Sequence, residues 1–392
     1  MTKEPSRRAG LHPAIRVAAA AALLAVPLVL LRAPTGGPGG PLRLLGAGAS
    51  HLDRALPEFA ALRPPVESPG GYDGQFYAQL ALDPALCRGA ELRRALDTPE
   101  YRARRIGLPA LAWLAGGGRP RAVVTAYALA NLLFAGILAG LVARRTRMAQ
   151  PRDLLLAAAL LWTTGSLTSI DRSLSDFPAS VLLLAAAWMA GRPAGAAGAL
   201  AAAALMRETS LLGLAVAWPA SFRRRDLLRA AAVAAAVGVP LFLWLVWCRL
   251  RLGGAGASPT DAFGLPLMAW VERIAGTVRD LLHDAPAAPW NQRGRLLFEL
   301  LAPLSLAVQA VFFAVRRDAR NPVWRLGAAW AVLLLFLGPQ VWGEQYASTR
   351  VLLPLTFAFN VRLHAAATTT RELAWFAAGN AGLAWMAVSA LA

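Results

Sequence analysis

Lysine is almost absent from this chain: Lys3 is the only one, so nearly all of its positive charge is arginine. Charge of either sign is scarce, at 16% of the 392 residues, against roughly 25% in a soluble domain. With 57% hydrophobic residues, that scarcity excludes a protein whose main solvent is water. The two cysteines, Cys87 and Cys248, stand in neither a CxxC nor a Cys/His spacing, and His12, His51, His283 and His364 are scattered. A zinc site is therefore not expected. A Cys87–Cys248 disulfide stays open, because both cysteines fall on the same side in the topology below.

What the chain does have is apolar runs near or above the roughly 17–20 residues that cross a bilayer. They are separated by short breaks bearing Arg, Pro or Gly. An all-α polytopic membrane protein follows. The formal charge of +18 would suggest nucleic acid in a soluble protein. In a membrane protein, arginine gathers in cytoplasmic loops and meets anionic lipid headgroups, so membrane lipids are the expected partner and nucleic acid is not. Lys3, Arg7 and Arg8 before an apolar stretch could mimic a signal peptide. The run from Pro13 to Leu31 is long enough to span, and it reads as an uncleaved first helix.

About 11 spans can be delimited: 13–32, 121–142, 153–170, 177–190, 194–206, 209–220, 227–247, 295–315, 323–341, 350–365 and 373–391. Residues 1–12 form a cytoplasmic tail, 33–120 a long first outer loop, 121–247 a block of spans, 248–294 a second outer loop and 295–392 the C-terminal spans. With the N-terminus inside, every cytoplasmic loop carries arginine: Arg144, Arg145, Arg147 and Arg152; Arg192; Arg223, Arg224, Arg225 and Arg229; Arg316, Arg317, Arg320 and Arg325; and Arg371. Residues 194–220 are read as two short helices meeting at Arg207-Glu208, because one long helix would bury that pair at mid-membrane. The outer segments then hold Asp73, Asp171, Asp176, Glu208, Asp261, Glu272, Asp280, Asp284 and Glu344, with Arg102, Arg104, Arg105, Arg172, Arg207 and Arg350.

The first outer loop opens on a Pro/Gly linker, Pro34 to Gly40, where flexibility is expected. The spacing over 42–62 predicts a short interfacial helix ending at Pro64-Pro65. Gly70-Gly71-Tyr72-Asp73-Gly74-Gln75-Phe76-Tyr77 follows, with Asp73 at the apex of a tight turn before a helix in the headgroup layer. Asp73 is there either a carboxylate held at the membrane surface or a helix cap. Tyr101-Arg102-Ala103-Arg104-Arg105 begins an apolar segment of only about 12 residues, re-entrant or interfacial, whose guanidinium groups suit a phosphate at headgroup depth. Asp176 also reads as a helix cap, Glu344 as an interfacial anchor and Arg207-Glu208 as an ion pair between short helices.

These residues together resemble a known family. Gly71-Tyr72-Asp73-Gly74-Gln75-Phe76-Tyr77 with Leu82-Asp83-Pro84, then Tyr101, Arg105 and Pro109, Asp171-Arg172-Ser173-Leu174-Ser175-Asp176, Arg207-Glu208-Thr209, and Arg350-Val351-Leu352-Leu353-Pro354-Leu355 are similar to bacterial membrane proteins of cell-surface glycopolymer formation. That family is in turn similar to the GT-C glycosyltransferases. The chain departs from its pattern at Ala78 and Leu108, where aromatics are usual.

The resemblance implies a GT-C-like helical bundle in the bacterial inner membrane, with its active face extracytoplasmic. The expected partners are a polyprenyl-phosphate-linked sugar as donor and a glycan or glycolipid as acceptor. Asp73 matches the family's essential first-loop acid and is the expected general base. Arg102, Arg105 and Arg350 are the expected donor-phosphate ligands. Tyr72, Gln75, Tyr77, Asp171, Arg172, Asp176, Arg207, Glu208 and Glu344 are the expected binding or orienting groups. Polyprenyl phosphate is a fair leaving group, so one base and cations for the developing charge suffice, and a single displacement inverts the anomeric centre. A divalent cation is compatible with so many acids, though no ligand spacing singles one out. Two rival functions are a transporter or flippase of lipid-linked sugars and a non-catalytic glycopolymer assembly factor. The first requires mid-membrane polar residues and an internal repeat, and neither is clear in the sequence.

Overall fold

A computed structural model describes residues 40–146, 150–219, 221, 223–253, 260–283, 289–344, 346–366 and 369–391. The expected tail 1–12, first span 13–32, nearly all of the Pro/Gly linker, and Asp284 lie outside the described residues. The described chain is mostly helical. Its one sheet among those residues is a parallel pair, β1 (Ala47–Gly48) with β2 (Val66–Ser68).

The expected helix over 42–62 is instead broken into a 3₁₀ turn (Gly40–Leu45), β1, α1 (Ala49–Leu52) and α2 (Pro57–Ala60). Gly46 turns the chain in the left-handed region at φ +60°, and Gly48 lies so close to the 70–71 backbone that a Cβ would sit 2.4 Å from Gly71 N. Pairing with β2 therefore overrides the helical spacing. Next come α3 (Gly74–Leu82), α4 (Gly89–Ala95), α5 (Pro99–Ala103) and α6 (Gly107–Gly116). Helix α3 does not expose a face: Gly74 through Ala81 are all buried. Gly74, Ala78 and Ala81 let neighbouring backbones close on it from several sides.

Helix α6 stops where Gly117 takes the left-handed conformation and its N–H bonds back to Leu114 O at 3.2 Å. The chain then reverses into α7 (Pro120–Thr146) against α6. Helices α8 (Pro151–Leu161) and α9 (Thr164–Asp171) meet at a 56° bend, where Thr163 caps α9. Then follow α10 (Asp176–Trp188), α11 (Pro193–Met206), a 3₁₀ helix over Glu208–Ala217, and α12 (Arg224–Leu252). The second expected outer loop carries a helix, α13 (Met268–His283), before α14 (Trp290–Val315). The chain ends in α15 (Pro322–Phe336), α16 (Pro339–Gly343), α17 (Ala347–Val351), α18 (Leu353–His364), α19 (Thr370–Asn380) and α20 (Trp385–Leu391).

Among the described residues, α7, α12 and most of α14 are long and apolar enough to cross a membrane, and α8 with α9 makes a fourth if the bent pair is one span. Shorter apolar helices are α6, α10, α11, the Glu208–Ala217 helix and α15. Large apolar side chains face outward on α7 (Leu133, Ile137) and α12 (Phe242, Leu243, Val246, Leu250). Such surfaces mark a membrane-associated protein, since in water they would drive aggregation.

Inside, packing follows composition. The Ala/Gly-rich α11 lies between α10 and α12, small side chains allowing close backbone approach. Polar residues then fix the register. Gln309 donates to Gly379 O (2.7 Å), Thr356 donates to Gln309 (3.0 Å), and Asn360 pairs with Asn380 (3.0 Å). Each such bond stabilises a membrane bundle by about 0.6–2 kcal/mol.

Candidate functional site

The turn before α3 is set by close approach. Gly71 stands at φ +67°, and a Cβ on Gly74 would lie 2.3 Å from Arg172 O, so the 70–74 turn presses on the 171–173 turn. Gln75 holds this arrangement through the backbone: its Oε1 accepts from Gly48 N (3.0 Å) and its Nε2 donates to Gly70 O (3.1 Å). Its amide is thereby used structurally. Asp73 precedes α3, but its carboxylate does not cap the helix. It meets Arg102 Nη1 at 2.9 Å instead.

Arg102 is held from behind. Its Nε and Nη2 donate to the two oxygens of Asp97 at 2.9 and 2.7 Å, a bidentate fork, and its guanidinium lies 5.2–5.7 Å from the rings of Phe76, Tyr77 and Tyr101. Burial disfavours charge on both partners, yet the hydrogen bonds between them prevail. Asp97 is held below the usual carboxylate range and Arg102 stays firmly protonated. Arg105 is enclosed beside it, donating to Tyr77 Oη at 2.9 Å, to Tyr101 Oη, and to Glu208 Oε2 at 3.3 Å.

A second group lies alongside. Asp176, only 3% exposed, faces Arg207 on one oxygen and Arg350 at 3.7 Å on the other. The guanidiniums of Arg350 and Arg172 lie 5.6 and 5.5 Å from the Tyr72 ring. Burial lifts the Tyr72 phenol above its ordinary value despite these two cations. Arg172 pairs with Glu67 and with Asp171 at 3.2 Å. Tyr127 on α7 donates to Ser173 O (2.7 Å) and Asn131 to Leu174 O (3.1 Å), fixing the turn that presents Asp171 and Asp176. Glu344 lines a small cavity of about 40 Å³ with Arg273, Arg295, Trp342 and Thr349, one residue from Arg350.

The structure thus brings most of the expected site residues to one end of the bundle and sorts them by how fully they are engaged. Every guanidinium nitrogen of Arg102 and Arg105 already meets a protein oxygen. The Nε of buried Arg350 has no hydrogen-bond partner among the described residues, so Arg350 keeps donor capacity that Arg105 has lost. Asp176 is enclosed between cations, whereas the Asp73 side chain remains 28% exposed. Asp97 (31%) and Glu208 (26%) are comparably open but are each engaged by an arginine through hydrogen bonds, and the Arg350 side chain is only 9% exposed. Arg207 and Glu208 do not pair with each other: they separate to Asp176 and Arg105, because the break after Met206 points the two side chains apart. Arg207 also donates to Thr209 Oγ1 at 3.1 Å.

Asp97 and Glu67 were not among the expected residues. For Asp97 there is a signal in Asp97-Thr98-Pro99, an acid just ahead of a Pro-started helix that carries Arg102. Equally unforeseen, α12 clasps the loop from outside. Trp244 donates to Ala103 O (2.8 Å), Trp247 to Ala85 O (3.0 Å), and Arg251 to Leu86 O and Cys87 O (3.0 Å each). Cys87 and Cys248 are both free thiols. Among the described residues no cluster of His, Cys, Asp and Glu is arranged to hold a metal. Compared with known protein families, curated proteins and solved structures, the chain matches none.

Proposed function

We propose that this chain is a bacterial inner-membrane glycosyltransferase of GT-C type, a bundle of about 11 spans. In this reading the Asp73 end faces outward and the Arg144, Arg192 and Arg316 end faces the cytoplasm. It moves a sugar from a polyprenyl-phosphate donor to an extracytoplasmic glycan or glycolipid acceptor. The observation that carries the reading is a partly open carboxylate, Asp73, fixed by the Asp97–Arg102 fork, whose chain neighbour Tyr72 packs its ring against an under-engaged arginine, Arg350.

The chemistry follows from those roles. Asp73 takes the proton of the acceptor hydroxyl as its oxygen attacks the anomeric carbon. The bond from that carbon to the phosphate oxygen breaks, and Arg350 receives the charge that develops on the leaving phosphate. Arg102 fixes the direction of the carboxylate, and Asp176 with Arg207 holds Arg350 in place. Tyr72 and Glu344, flanking Arg350, suit contacts to the sugar, while Arg105, Tyr77 and Glu208 form the supporting frame. Supplying the full chain in liposomes with polyprenyl-phosphate hexoses and a glycan acceptor, then assigning the product anomer by NMR, tests this scheme. Inversion is expected; a product that keeps the donor configuration overturns single displacement.

A further inference from the structure

The opposite end of the bundle carries a second concentration of arginine with different bonding. Helix α7 runs from Tyr127 beside the Asp73 cluster to Arg144 and Arg145, about 25 Å along its axis at 1.5 Å per residue. There its end meets the turn from α10 to α11. Arg144, Arg145 and Arg192, with Leu141, Trp188, Met189 and Gly191, line an open cleft of about 520 Å³, a size typical of ligand sites.

Several arginines at this end, Arg316, Arg325 and Arg362, are engaged within the protein. Arg316 pairs with Glu372 at 2.7 Å, Arg362 with Asp318 at 3.0 Å, and Arg325 donates to Trp218 O at 2.6 Å and Ala319 O at 2.6 Å. Arg144, Arg145 and Arg192 have no acidic partner among the described residues, and all three are exposed at the cleft. Three guanidiniums around one cavity raise its positive potential, which favours an anion among them. The outward row Leu133 and Ile137 on α7 continues at the same four-residue spacing to Leu141 in the cleft lining, giving an apolar track along the bundle surface. Trp188 lines the same cleft, an aromatic with an apolar face for hydrocarbon and a polar edge for the interface.

We propose that this cleft is a headgroup site for an anionic phospholipid. Arginine forks take the phosphodiester oxygens, Trp188 packs on the glycerol region, and the acyl chains follow the Leu133 and Ile137 track. A free phosphate would satisfy the arginines but make no use of the track. The site stands whether or not the Asp73 end transfers sugar.

Native mass spectrometry of the full chain in detergent tests it, titrating dioleoyl phosphatidylglycerol or tetraoleoyl cardiolipin against dioleoyl phosphatidylcholine. The expected result is a saturable adduct with the anionic lipids that inorganic phosphate at millimolar concentration does not displace. R144Q/R145Q/R192Q weakens it by roughly a hundredfold, at about a fivefold loss for each arginine removed. Should the triple variant not fold, R192Q alone and R144K/R145K/R192K carry the test. The first is expected to lose several-fold and the second to retain partial binding, since lysine keeps charge without the fork. Equal retention of phosphatidylcholine and phosphatidylglycerol, unchanged binding in these variants, or displacement by inorganic phosphate overturns the proposal.

Discussion

Asp176→Asn removes one negative charge from between two guanidiniums that the fold has already desolvated. Asp176 is 3% exposed, and the Arg207 and Arg350 side chains are 12% and 9% exposed, so little water reaches either cation. Breaking a buried ion pair by neutralising one partner costs about 3–5 kcal/mol, because the charge left behind is uncompensated. Asparagine keeps the shape and one acceptor oxygen, which isolates the electrostatic part of the loss. The full chain in detergent, unfolded thermally or in graded SDS, should therefore lose about 3–5 kcal/mol in Asp176→Asn. Asp73→Asn, at a more exposed carboxylate with a single cationic partner, should lose under about 1 kcal/mol. Adding Arg207→Met to Asp176→Asn should recover part of the loss, since an apolar replacement leaves fewer buried charges alone. A cost below about 1 kcal/mol for Asp176→Asn would refute the view that this carboxylate neutralises Arg207 and Arg350.

Three further outcomes are expected. Because Asp97 is held below the usual carboxylate range, its contribution is present above about pH 4 and lost as pH falls through its lowered value. The thermal-stability gap between wild type and Asp97→Asn should then close toward pH 3, and a gap that stays constant from pH 7 to pH 3 contradicts the assignment. Gly74→Ala places a Cβ 2.3 Å from Arg172 O and 2.9 Å from Leu45 O, both backbone atoms. It should cost about 3 kcal/mol or more, visible as loss of monodisperse protein on size-exclusion. Cys87 is exposed and Cys248 buried, with no disulfide between them. A membrane-impermeant maleimide should label Cys87 alone on intact spheroplasts, and labelling only after permeabilisation would reverse the proposed orientation.

Much of the site was legible because mixed charges in very short turns have few structural uses. Asp171-Arg172 and Arg207-Glu208 stood out for that reason, as did Asp73 between glycines. Their partners were not legible. Glu67 meets Arg172, and Asp176 meets Arg207 and Arg350, only once distant turns have docked. Local pattern also failed where a long-range contact decided the backbone. Residues 42–62 have helical spacing, yet Gly46 and Gly48 commit the chain to pairing with 66–71. Helix α3 reads as amphipathic enough to lie at an interface, but its small residues admit neighbours on every side. The break at Arg207 did follow from sequence, because an ion pair at the middle of one long helix is costly. What that break allows, two side chains taking separate partners, requires the packed structure.

Asp73 is proposed as the base of a sugar transfer. The direct measurement is transfer from a supplied polyprenyl-phosphate sugar by Asp73→Asn in liposomes, with protein level and thermal midpoint recorded on the same sample. Loss of roughly a hundredfold to ten-thousandfold in rate, at near wild-type stability, is the expected result. Full transfer by folded Asp73→Asn would contradict it.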